Sequence, residues 1–212
     1  MKVAALLAVL LLGACAAAGR GPRVDVDVPV LGPLQAALLY HDRSHTPLPA
    51  DQLVQWYGEV CGEKDPQARQ AAAAAARSEL ERAGRDAVQA ARWKVPLRQE
   101  LGGYDLVESA FPTTLRAGAA VTFDRSQYCG EPLTYRVVFR NGADYALVRI
   151  PHDEAVAFVR NNPARSVVHD LVVEVVGAQD GPGGPALVVD ILGIRTRDAA
   201  SGTTLAETVA GR

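Results

Sequence analysis

The stretch SVVHDLVVEVVGAQDGPGGPALVVDILGIRTRD, residues 166–198, decides the fold. Two long runs rich in valine and isoleucine flank the cluster DGPGGP, residues 180–185, whose glycines and prolines are typical of a turn. The pattern predicts two long β-strands joined by a tight turn. Because this glycine-rich turn lies between two strands, we interpret it as a hairpin tip rather than as a phosphate-binding loop.

Shorter strands are predicted before this pair, from about residue 115 onwards. The segments with strand character are LRAGAAVTFD, EPLTYRVVFR and YALVRI, residues 115–124, 131–140 and 145–150. The Asn-Gly pair inside NGAD, residues 141–144, predicts a hairpin turn between the last two of these strands. After residue 198 the turn residues AASG precede TTLAE, which predicts a short return strand.

One helix is predicted inside this β-rich part, in PHDEAVAFVRNN, residues 151–162. Asp153 is a suitable residue for its N-terminal cap. Ala155, Val156 and Val159 recur at helical spacing and are expected to face inward. The order of elements in this half of the chain is therefore strand, strand, strand, helix, strand, strand.

That order resembles the OB-fold, a small Greek-key barrel with a helix between its third and fourth strands. The resemblance is one of element order alone and covers residues 115–198. It implies a ligand-binding face on the second and third strands, which would include Tyr135, Phe139 and Tyr145. The alternatives are a plain α+β sheet with one helix on a face, and a core position for the three aromatic side chains.

Residues 24–114 are predicted to be mainly helical, followed by the OB-like β-domain at 115–212, so the fold class is α+β with a small antiparallel β-domain. The short stretch VDVDVPV, residues 24–30, alternates and predicts a half-buried strand. Asp65 is expected to cap a long alanine-rich helix that bends or breaks at Gly84. The other helices are predicted in PLQAALLYH and PADQLVQWYGEVCG, residues 33–41 and 49–62, and the proline in WKVPL, residues 93–97, argues for an edge strand.

The first fifteen residues, MKVAALLAVLLLGAC, have the character of a signal peptide. Lys2 is followed by about ten apolar residues, which is enough for a signal-peptide core and too few to span a bilayer. The cleavage region reads Leu12-Gly13-Ala14-Cys15. A leucine, two small residues and a cysteine resemble the lipobox of bacterial lipoproteins; an ordinary secretory signal is the alternative.

The lipobox resemblance implies that residues 1–14 are removed and that Cys15 carries the lipid, with acyl chains such as palmitate. It therefore implies a bacterial cell-envelope protein whose first partner is the membrane that holds this lipid. Because Ala16 rather than aspartate follows the cysteine, it favours the outer membrane, with the protein facing the periplasm. Residues 15–23 contain mostly small residues and predict a flexible tether.

Two further cysteines, Cys61 and Cys129, would then lie in an oxidising compartment, where thiols tend to pair. We therefore predict a disulfide between them, which would stabilise the fold by roughly 4 kcal/mol in the chain-entropy model. Two buried free thiols are the alternative.

No motif in the sequence is typical of catalysis, since it has no nucleophile elbow, zinc-protease helix or phosphate loop. His41 and His45 have a spacing that suits a metal ion on one helix face, but a solvated loop is the favoured interpretation because no third ligand is evident. We predict no metal site and no cofactor. His169 and Asp170 are adjacent in a predicted strand, so they point to opposite faces and do not form a catalytic dyad.

The net charge of −2, with acidic and basic residues interspersed, argues against a nucleic-acid partner. The favoured hypothesis is a non-catalytic, lipid-anchored envelope protein that acts through contacts with a protein partner. The second is a small-ligand or metal-binding lipoprotein that uses the β-domain face or the two histidines. The third is a hydrolase with dispersed catalytic residues.

Overall fold

The computed structural model describes residues 23–123 and 134–210. The helices are α1 (Pro33–Ser44), α2 (Ala50–Val54), α3 (Gly58–Cys61), α4 (Pro66–Gln89) and α5 (His152–Asn161), with one 3-10 helix at Gly142–Tyr145. The strands are β1 (Trp93–Glu100), β2 (Ala110–Pro112), β3 (Ala120–Thr122), β4 (Arg136–Phe139), β5 (Leu147–Arg149), β6 (Ser166–Gly181), β7 (Gly184–Asp198) and β8 (Thr204–Val209).

The main sheet has the strand order β1-β6-β7-β4-β3, with β8 also paired to β7. Strands β4 and β7 run parallel, whereas the other ladders of this sheet are antiparallel. Strands β2 and β5 form a separate antiparallel pair. The α+β class is confirmed, with a mixed sheet in place of the antiparallel one that was expected. No ladder among the described residues joins β1 to β3, so closure into an OB-like barrel stays a prediction.

The long hairpin predicted at residues 166–198 is confirmed as β6 and β7. Its two strands pair along almost their whole length, with register shifts after Val172 and after Val175. The turn requires a glycine at position 184, where φ is 85°, a left-handed conformation that residues with a Cβ rarely adopt. The expected return strand is also present as β8.

The hairpin predicted at Asn141-Gly142 is wrong, because β4 and β5 belong to different sheets. The Asn141 side chain is hydrogen-bonded to the backbone of β7: its Nδ2 donates to the oxygen of Ile191, and its Oδ1 accepts from the nitrogen of Ile191. A Cβ on Gly142 would lie 2.4 Å from the backbone oxygen of Arg116. Tertiary contacts therefore use these two residues to leave the sheet instead of reversing within it.

The helices differ in several places from their predicted bounds. Helix α4 begins as expected, with the Asp65 carboxylate accepting a hydrogen bond from the backbone of Gln67, but it continues through Gly84 without a break. The single helix expected at residues 49–62 is two short helices, α2 and α3. VDVDVPV is not a strand; only Val30 makes an isolated bridge, although the burial of its residues does alternate.

The main core lies between the sheet and the N-terminal helices. Helix α1 contacts β6 and β7, and helices α1, α2 and α3 all contact α4. Strand β1, which contains Pro96, is an edge strand as predicted, and its pairing with β6 joins the mainly helical part of the chain to the β-rich part. Within the described residues, no helix is both long enough and apolar enough to cross a bilayer.

A second, smaller core lies under α5. Its buried members are Leu101, Phe111, Val148, Ile150, Ala155, Phe158 and Val167. Helix α5 contributes Ala155 and Phe158, whereas Val156, which was expected to face inward, is exposed. Val156 therefore lies on the solvent-facing side of α5. Pro151 occupies the N-cap position, without a side-chain capping hydrogen bond, and Asp153 lies in the first turn instead of capping the helix as expected.

Candidate functional site

The residues that carry the predicted envelope chemistry lie mostly outside the described residues. Cys15 and Cys129 are both in undescribed segments. Cys61 is exposed at the end of α3 rather than on an apolar helix face, and it is disulfide-bonded. Lipidation of Cys15 and the assignment of Cys129 as the partner of Cys61 stay predictions.

The two histidines considered as metal ligands have different environments. Helix α1 extends to Ser44, so His41 lies in the helix and His45 caps it in the left-handed conformation. Both ring nitrogens of His41 are hydrogen-bonded, Nδ1 to the Thr46 hydroxyl and Nε2 to the Tyr135 hydroxyl, each at 2.8 Å. Among the described residues, no group of three or more His, Cys, Asp or Glu residues could hold a metal ion.

The candidate ligand face on the β-domain is part of the main core. Tyr135, Phe139 and Tyr145 are all buried there. They have the core position that the sequence offered as the alternative to a ligand-binding face. The Tyr145 hydroxyl donates to the backbone oxygen of Ile191 at 3.0 Å. Burial raises the pKa of both tyrosines to about 12, so they remain protonated over the physiological range.

His169 is fully buried in a polar chain that crosses three strands. The Gln99 Oε1 accepts hydrogen bonds from Thr114, so its amide nitrogen is the group that faces the Nε2 of His169. That leaves Nδ1 of His169 to donate to the Thr196 hydroxyl at 2.8 Å, which fits a neutral imidazole. Burial lowers the pKa of His169 to about 4, and the arrangement is structural rather than catalytic.

The most distinctive surface is an apolar one around Tyr104. We name it the Tyr104 surface and define it by Tyr104, Leu106, Val107, Leu147, Val156 and Val159. Leu106 is 70% exposed, Val107 is 92% exposed and Val156 is 43% exposed. Isolated exposed aliphatic residues are common, but several on one continuous surface typically mark an interaction site.

The two most exposed members lie at the tip of a braced turn, residues 105–110. Backbone hydrogen bonds between Asp105 and Ala110 close the turn in both directions, at 2.8 and 3.2 Å. The Asp105 carboxylate accepts from the backbone nitrogens of Val107 and Glu108. From the neighbouring strand, Arg149 donates to the backbone oxygen of Glu108 at 2.9 Å. The turn therefore holds Leu106 and Val107 in solvent by specific contacts.

Tyr104 fixes this turn to the second core. Its hydroxyl donates to the backbone oxygen of Ile150 at 2.8 Å. Its ring meets Phe111 edge-on, with centroids 4.9 Å apart, and Phe111 in turn contacts Phe158 of α5. His152 lies on the other side of the Tyr104 ring, at 5.8 Å between centroids. A rigid base beneath an exposed apolar tip lowers the ordering cost of binding.

Two grooves flank Tyr104. The first, of about 370 Å³, lies against α5, and its lining is almost entirely apolar; the lining residues are Tyr104, His152, Ala155, Val156, Val159 and Arg160. The second, of about 470 Å³, lies between the turn and β5; its lining residues are Gly103, Tyr104, Asp105, Leu106, Pro112 and Leu147. The surface thus combines a protruding apolar tip with one apolar groove and one groove of mixed lining, a shape that suits contact with a macromolecule.

Sequence reasoning missed this surface for two reasons. Residues 104–111 have no clear period, so the pattern does not distinguish a strand from a short helix there. Helical spacing predicts that Val156 faces inward, whereas Ala155 and Phe158 are the buried residues of α5. The usable signal was the pair Leu106-Val107 between two carboxylates, Asp105 and Glu108, in a segment without strand or helix periodicity.

Comparisons with protein-family models, with curated proteins and with solved structures each return no match for this chain.

Proposed function

We propose that this protein is a lipid-anchored protein of the bacterial cell envelope that binds a protein partner through the Tyr104 surface, without catalysing a reaction. The observation that carries the proposal is the exposure of Leu106 and Val107 on a turn that hydrogen bonds hold rigid. Burying each side chain in a partner would contribute roughly 1.5–3 kcal/mol, which is a strong reason to keep them on a binding surface.

The lipobox resemblance supports the location. The described residues begin at Arg23, eight positions after Cys15. A lipid on Cys15 would therefore hold the folded part of the chain close to a membrane surface. The tip is flanked by two carboxylates, Asp105 and Glu108, and by Arg149, which pairs with Glu108. The excess of negative charge disfavours insertion of the tip into an anionic lipid layer. A protein partner with an apolar recess and basic groups fits the tip better.

Site-specific photo-crosslinking in intact cells tests this function. A photo-reactive amino acid replaces Val107 in the full-length chain, alone or together with Val156→Glu or Val88→Glu. The two glutamate variants are matched, because Val156 and Val88 are helix-surface valines that are 43% and 47% exposed. We expect a defined protein adduct from position 107 that Val156→Glu removes and that Val88→Glu leaves unchanged.

The outcome that contradicts the function is equally defined. If position 107 yields no more protein adduct than a crosslinker at Val88, or if both glutamate variants lower the yield equally, the Tyr104 surface is not a docking site.

A small apolar ligand is the second candidate occupant. The groove against α5, at about 370 Å³, is within the size range of small-molecule sites, and its lining includes one cationic side chain, Arg160. A bound ligand would raise the unfolding temperature of the purified chain in proportion to its concentration. Val156→Glu would abolish that shift, whereas Val88→Glu would not.

A further inference from the structure

We propose that the partner of the Tyr104 surface is a second copy of this chain, and that each copy inserts Leu106 and Val107 into the groove beside α5 of the other. This inference rests on the proposed function, since it names the protein that the surface binds. The contact would be two-fold symmetric, because each copy contributes the same tip and the same groove.

The shape of the Tyr104 surface favours binding to a second copy. A two-fold contact requires a surface that is complementary to itself, so that a feature on one copy meets its counterpart on the other. The Tyr104 surface has both counterparts: the apolar tip at Leu106 and Val107, and the apolar groove lined by Val156 and Val159. Tyr104 lies between them, which places the two-fold axis close to its ring.

The charges of the tip and of the groove favour the same arrangement. The tip is flanked by the carboxylates of Asp105 and Glu108, the second of which forms an exposed ion pair with Arg149 of its own copy at 3.3 Å, whereas the groove ends at Arg160. Arg160 is exposed and forms no ion pair with any residue in the described ranges. Asp153 and Glu154 belong to the same helix but do not line the groove. When the tip of one copy enters the groove of the other, the Asp105 carboxylate approaches Arg160. Neither group has an ion-pair partner among the described residues of its own copy.

Anchoring at a membrane would also favour self-association. A lipid on Cys15 would confine all copies to one surface and raise their effective concentration, so that a contact of moderate size can form. Opposite charges at the rim of such a contact set its register and disfavour other partners. A glutamate at the groove end, in place of Arg160, would instead repel the tip.

The test uses two differently tagged full-length copies expressed together in a bacterium that lipidates its lipoproteins. The photo-reactive amino acid replaces Val107 in one copy, and the same substitution at Val88 is the control. We expect an adduct that contains both tags and whose crosslinked peptide comes from α5, residues 152–161. The charge arm uses Arg160→Glu, which is expected to lower this adduct about tenfold, and Arg160→Lys, which keeps the positive charge and is expected to leave the adduct largely unchanged.

Each other outcome contradicts self-association in a recognisable way. A Val107 adduct that contains a different protein and never both tags overturns the second copy but leaves the docking function in place. A yield no greater than that of the Val88 control overturns both. A doubly tagged adduct whose crosslinked peptide lies outside α5, or one that Arg160→Glu leaves unchanged, overturns the tip-in-groove arrangement.

Discussion

The sheet face beneath α1 and the Tyr104 surface are both rich in aliphatic and aromatic side chains, but these side chains are buried in the first and exposed to solvent in the second. The first buries Phe139, Leu39 and Ile191 almost completely. The second holds Leu106 and Val107 in solvent on a turn closed by its own hydrogen bonds. Apolar composition alone therefore does not distinguish a core from an exposed surface, whereas the hydrogen bonds of the backbone that carries the side chains do.

The difference suggests a division of tasks within one chain. Core side chains such as Phe139 contribute to the free energy of unfolding, because water covers them again when the chain unfolds. Leu106 and Val107 are covered with water in both states and contribute little to it. Their apolar area becomes useful only when another molecule covers it. Substitutions on the two regions should accordingly differ in which quantity they change.

The largest expected change in the free energy of unfolding comes from a substitution in the main core. Phe139→Ala removes a fully buried ring from the main core, so the free energy of unfolding should fall by roughly 3–5 kcal/mol. Denaturant unfolding of the purified chain measures this value. A loss below about 1 kcal/mol, which is typical of a surface position, would contradict the core assignment of Phe139.

The next effect is a pH dependence that arises from His169. Its pKa is lowered to about 4 by burial, so the unfolded chain binds more protons than the folded chain between about pH 6.5 and pH 4. Stability should therefore be complete above about pH 6.5 and fall by up to about 3 kcal/mol as the pH is lowered to 4.

Unfolding free energies at several pH values test this prediction, with His169→Gln as the comparison. The variant keeps a polar group between Gln99 and Thr196 but cannot titrate, so its stability should depend less steeply on pH across that window. Equal slopes for the two proteins would show that His169 is already accessible to protons in the folded state.

The elements that sequence reasoning found correctly are those whose local signals agree with their tertiary surroundings. The β6–β7 hairpin has β-branched strands and a glycine-proline turn, and α4 has a capping aspartate followed by proline. Asn141-Gly142 has an equally strong local signal, but a hydrogen-bonded contact with Ile191 of β7 overrides it. Such a contact between distant segments leaves no trace in the local pattern.

The candidate site was harder to predict than the fold. Its exposed members, Leu106 and Val107, are ordinary core residue types, and only the hydrogen bonds of the turn show that they face solvent. Val156 illustrates the same difficulty, because helical spacing alone did not decide whether it or Phe158 faces inward. Burial of a short turn depends on its neighbours, here Arg149 and Ile150, which lie about forty residues away in sequence.

The smallest effect on stability and the most direct test of the account come from one variant, Val107→Cys. Val107 is 92% exposed, so its replacement should change the free energy of unfolding by less than about 0.5 kcal/mol. The measurement is the rate at which the introduced thiol reacts with a water-soluble maleimide in isolated membranes. The Val88→Cys variant supplies a matched exposed thiol, and the unsubstituted chain gives the background.

We predict that the thiol introduced at position 107 is protected in membranes and reacts quickly once detergent and dilution separate the chains. The thiol introduced at position 88 should react at the same rate in both conditions. Equal reactivity of the two introduced thiols in membranes would contradict the claim that a partner covers the Tyr104 surface.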